Sequence, residues 1–65
     1  MEKEIMLQKL SQEVQNIKKS IKTINDIKEV MINKNLPFLD ITDSSHLLEQ
    51  AHIHIKATIH FLKKL

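Results

Sequence analysis

The chain of 65 residues contains no cysteine, glycine, arginine, tryptophan or tyrosine, one proline and two phenylalanines. Without cysteine there is no disulfide, thiolate metal site or thiol nucleophile, a composition that suits a reducing compartment. Without glycine there is no phosphate-cradling loop of the P-loop or dinucleotide type. The missing arginine, tryptophan and tyrosine remove the bidentate forks and most of the stacking platforms used to read nucleic-acid bases. No run of about 18 apolar residues occurs, and the mixed charges of Met1-Glu2-Lys3-Glu4 do not form a signal peptide. A cytoplasmic protein without a membrane span is expected.

What is present is a folding composition. Hydrophobic residues make up 42% and charged residues 28%, with a formal net charge of +2, which is too apolar for a disordered chain. At this length residues 1–65 form one domain, whose core rarely supplies more than roughly 3 to 5 kcal/mol without a staple. Self-association or docking on another protein is the remaining route to stability. Ile and Lys each occur ten times and Ala twice, a bias towards AT-rich codons of the kind found in phages and mobile elements.

Leu7, Leu10, Val14, Ile17, Ile21 and Ile24 recur at alternating spacings of three and four, the seam of a long amphipathic helix. With Leu7 at a, the a positions continue through Val14, Ile21 and Lys28, and d runs through Leu10, Ile17, Ile24 and Met31. The spacing predicts helix 1 over about residues 3–33. Asn33, Asn35 and Pro37 form its stop, because Asn tolerates the left-handed C-terminal conformation and Pro37 biases Leu36 away from helix. Thr42, Asp43, Ser44 and Ser45 are N-cap candidates, so helix 2 is expected over about residues 44–64. Its ladder reads Leu48, Ala51, Ile55, Thr58, Leu62 and Leu65.

The expected fold is therefore all-α, an antiparallel two-helix hairpin that completes a four-helix bundle by dimerisation or by packing on a partner. At about 1.5 Å per residue, helix 1 spans roughly 46 Å and the shorter helix 2 ends beside residues 11 to 14. Ile5, Met6, Leu7 and Leu10 are then an uncovered apolar overhang and the first candidates for partner binding, joined by Phe38 and Leu39 in the connection. Phe38 is also placed to close the connected end, with Leu36, Leu39 and Ile41.

His46, His52, His54 and His60 crowd helix 2, but two ligands on one helix must be three or four residues apart to share a face. No metal site and no cofactor is expected. His52 and His54 flank the ladder, where protonation near pH 6 would oppose packing. Lys9, Lys18, Lys19 and Lys22 form a basic stripe that is the candidate nucleic-acid surface. Asp40 and Asp43 suit a turn and a helix start, and Ser44-Ser45-His46 are sequence neighbours without the geometry of a nucleophile and its base. No enzyme and no small-molecule substrate are expected.

The function expected from these residues is a non-enzymatic adaptor, inhibitor or chaperone-like subunit that binds a protein or a second copy through the helix 1 seam. The alternatives are an RNA-binding hairpin dimer and a structural coiled-coil part of a larger assembly. In layout, and in Leu48-Glu49-Gln50-Ala51, the chain resembles the two-helix co-chaperones of type III secretion needle subunits. The RNA-binding alternative is similar in architecture to the plasmid copy-number regulator that recognises paired RNA loops. Neither resemblance carries a site residue onto this sequence.

Overall fold

The computed structural model describes residues 2–65, which form two helices, α1 (Lys3–Asn33) and α2 (Leu39–Lys64), packed along each other as a hairpin. The molecule is a rod of 49 × 14 × 13 Å. No strand occurs among the described residues.

Helix α1 follows the expected boundaries because its a/d ladder is interrupted only at Lys28 and its stop is explicit. Lys34 is the C-cap, and Asn35 takes φ 57°. The amide of Leu36 donates to Met31 O at 2.9 Å and that of Asn35 to Ile32 O at 3.1 Å. These two bonds make a Schellman motif, with Asn in the left-handed position that glycine usually holds. Pro37 follows and prevents the helix from resuming at once.

Helix α2 starts at Leu39, five residues before the expected position. The hydroxyls expected to cap it instead bond back along the helix: Thr42 Oγ1 donates to Phe38 O at 2.9 Å and Ser44 Oγ to Asp40 O at 3.1 Å. Local capping preference loses to packing here, because the earlier start places Ile41 half-buried against α1. Asp40 in the first turn and Lys63 and Lys64 in the last also complement the helix dipole.

The earlier start also shifts the packed face. Along α2 the side chains that are buried or half-buried are Ile41, Thr42, Ser45, Leu48, Ala51, His52, Ile55, Ile59 and Leu62, while Thr58 and Leu65 are exposed. The expected ladder agrees at Leu48, Ala51, Ile55 and Leu62, slips to the neighbouring residue at 58 and fails at Leu65, which is exposed. Ile59 carries more apolar area than Thr58, and Ile41 with Ser45 sets the register from the start of the helix.

The longer α2 reaches further down α1 than expected. Leu62 and Thr58 flank Met6, Lys9 and Leu10 across one groove. Met6, Leu7 and Leu10 are consequently half-buried, and of the expected overhang only Ile5 stays exposed. The closing of the connected end also fails within one hairpin: Leu36, Phe38 and Leu39 are all exposed and Ile41 alone turns inward.

The core is thin. Among the described residues Val14 is the one buried apolar residue and Ser45 the one buried polar residue, at 7% and 8% exposure, and no side chain is fully enclosed. Two helices offer each other one stripe apiece, so every seam residue keeps a side open to solvent.

Candidate functional site

Taking Ser45, His52 and Ile59 as a positions of α2 and Ile41, Leu48, Ile55 and Leu62 as d, the remaining heptad positions sort into two long faces. One face holds the g and c positions of both helices and the other the e and b positions. Groove linings agree with this division. Met6 and Lys9 (g and c) share a groove with Thr58 (g), whereas Ser11 and Gln15 (e and b) share one with Lys56, His60 and Lys63 (e and b).

The g/c face is apolar. It carries Ile27, Val30, Leu47, Phe61 and Leu65, exposed by 44 to 76%, among short side chains such as Ser20, Ala51 and Thr58. Its charged residues are Glu2, Lys9, Glu13, Lys34 and Asp40. The e/b face carries seven, Glu4, Lys18, Lys22, Glu29, Glu49, Lys56 and Lys63, with Ile32, Leu39 and Ile53 exposed among them. A shallow groove of about 360 Å³ runs along this second face beside Val14 and Ile59.

The candidate nucleic-acid residues are divided by this geometry. Lys18 and Lys22 lie on the e/b face, Lys19 at an outer f position lines a groove with Ser20 and Thr23 of the g/c side, and Lys9 lies on the apolar side. Lys56, Lys63 and His60 of α2 join Lys18 and Lys22 instead. Sequence reasoning missed this partnership because it depends on how α2 is rotated against α1; the signal was the e-position repeat of Lys56 and Lys63, readable only in the correct register.

The candidate partner-binding residues stand at opposite ends of the rod. Ile5, Met6, Leu7 and Leu10 occupy the open end, and Phe38 and Leu39 the connected end. One copy does not bring them together.

Between the two faces the seam has polar members. Ser45 Oγ donates to Asn25 Oδ1 at 3.0 Å, the single hydrogen bond between side chains of the two helices among the described residues. It locks the relative height of the helices at that level. His52 lies half-buried in the seam and its Nε2 is enclosed without a hydrogen-bond partner, whereas His54 is exposed. Lys28 is half-buried at an a position, where its stem can cover apolar surface while the ammonium reaches water.

No group of three or more His, Asp or Glu side chains among the described residues is placed to hold a metal ion, and no helix is long and apolar enough to cross a membrane. The grooves beside the seam are shallow and bring together no nucleophile, base and orienting group. Comparison with protein-family models, with characterised proteins and with solved structures found no match.

Proposed function

We propose that this chain is a small non-enzymatic protein-interaction module, an adaptor, inhibitor or chaperone-like subunit whose hairpin completes a four-helix bundle by dimerisation or by packing on a partner. One imbalance carries the reading: among the described residues eleven large apolar side chains are exposed, against one buried. Scattered exposed apolar residues are ordinary, but a chain that leaves so many outside so thin a core has its principal burial still to make. Light scattering on the purified chain, followed by affinity capture from its native host, tests this. Association with itself or with a protein is expected, and Leu10→Asp should abolish it by breaking the seam that holds the binding surface. A helical monomer with a cooperative melt and no partner contradicts the proposal.

A second reading, binding of RNA or DNA phosphates, draws support from the placement of Lys18, Lys22, Lys56 and Lys63 along one face. Combined charge reversal of Lys18, Lys22 and Lys56 separates the two. Retardation of RNA by the wild-type chain that disappears in this variant favours the second reading, and absence of retardation removes it.

A further inference from the structure

We infer that the g/c face is covered by a second copy of this chain, related by a two-fold axis across the rod, so that the two hairpins run head to tail. This rests on the interaction-module reading and names the partner. Three independent features support it: area, the spacing of the apolar clusters and the distribution of charge.

A folded monomer of 7.6 kDa is expected to expose about 4,300 Å². The hairpin exposes 5218 Å², an excess of about 900 Å², close to the roughly 800 Å² that each partner contributes to a standard interface. One face of one more copy is enough to absorb it.

The apolar clusters are placed for a crosswise axis. Leu48 packs at the level of Ile24 and Leu62 at the level of Leu10, one heptad to either side of Ile17 near the middle of α1. Leu47 and Phe61 therefore stand at matching distances from the centre of the rod. A two-fold axis there stacks α2 on α2 and α1 on α1, laying Leu47 of one copy against Phe61 of the other and Val30 against Met6, with Ile27 at the level of Lys9. The middle of the face, with Ser20, Ala51 and Thr58, has short side chains that permit close helix approach.

The charge of the whole hairpin, carried mostly off the g/c face, favours one direction. Residues 23–49, the connected end, hold five carboxylates (Asp26, Glu29, Asp40, Asp43, Glu49) and two lysines (Lys28, Lys34), a net −3. The remainder holds eight lysines and three glutamates, a net +5, and the two figures together give the chain's +2. A head-to-tail pair sets the acidic end of each copy beside the open, lysine-bearing end of the other. Hairpins packed side by side in the same direction would stack acid on acid and base on base.

The test uses the full chain. Light scattering is expected to give twice 7.6 kDa. A spin label on Lys34→Cys, at the connected end, is expected to report a label separation approaching the 49 Å rod length, whereas same-direction packing gives at most about 20 Å, two interhelical spacings. Phe61→Glu should halve the mass and Ile53→Glu, on the opposite face of α2, should leave it unchanged. If Phe61→Glu fails to fold, the label distance still reads the arrangement. A short distance overturns the head-to-tail pair. A helical monomer that captures another protein, and loses it in Phe61→Glu, overturns the second copy and keeps the interaction reading. A helical monomer that captures nothing overturns both.

Discussion

Leu47 and Ile53 belong to the same helix, carry the same number of side-chain carbons and are both more than half exposed, yet they stand on opposite faces of the hairpin. Leu47 lies on the side with Ile27, Val30, Phe61 and Leu65 and fewer charges; Ile53 lies on the side with Lys18, Lys22, Lys56 and Lys63. The comparison shows that exposure alone does not identify a binding surface. Contiguity with other apolar side chains, and the lower charge around them, distinguish one face from the other.

The largest expected effect destroys the comparison by removing the seam that separates the faces. Val14→Asp places a carboxylate at the best-buried apolar site, and a loss of more than about 4 kcal/mol, hence of helical circular dichroism, is expected. Next is the pair itself. Leu47→Glu should lower stability at a fixed chain concentration by about 2 kcal/mol, the value of burying such a side chain in an interface, while Ile53→Glu stays within about 0.5 kcal/mol. Equal effects in thermal melts would dissolve the distinction between the faces.

Smaller changes sharpen the seam. His52→Leu removes an enclosed nitrogen that lacks a partner and should raise stability by about 1 to 2 kcal/mol in a urea titration. Ser45→Ala deletes the bond to Asn25 and should cost about 1 kcal/mol, with the cost falling when Asn25→Ala is added, as a double-mutant cycle would measure. The smallest effect belongs to the charged face: Lys56→Glu should move the melting midpoint by no more than an exposed substitution usually does, about 0.5 kcal/mol.

Helix α1 was legible because its apolar residues repeat from Leu7 to Met31 with one interruption, at Lys28, and because Asn35 and Pro37 mark its end by local backbone chemistry. Helix α2 was legible only in kind. Four consecutive cap-forming residues, Thr42 to Ser45, hid a start at Leu39 whose cause is non-local, the burial of Ile41 against α1. Apolar residues at 55 and 62 fit two ladders, and the choice between Thr58 and Ile59 depends on the partner helix. The site followed the same rule. Each lysine of the stripe could be read as exposed, but the grouping of Lys18 and Lys22 with Lys56 and Lys63, and the separation of Lys9 from them, required the rotation of one helix against the other.

The central claim is that the hairpin is half of an assembly, and the dependence of its thermal midpoint on chain concentration tests it most directly. For a dimer, each tenfold increase in concentration adds about 1.4 kcal/mol per pair, so the midpoint should climb by several degrees. A cooperative melt whose midpoint is the same from micromolar to millimolar chain would contradict it.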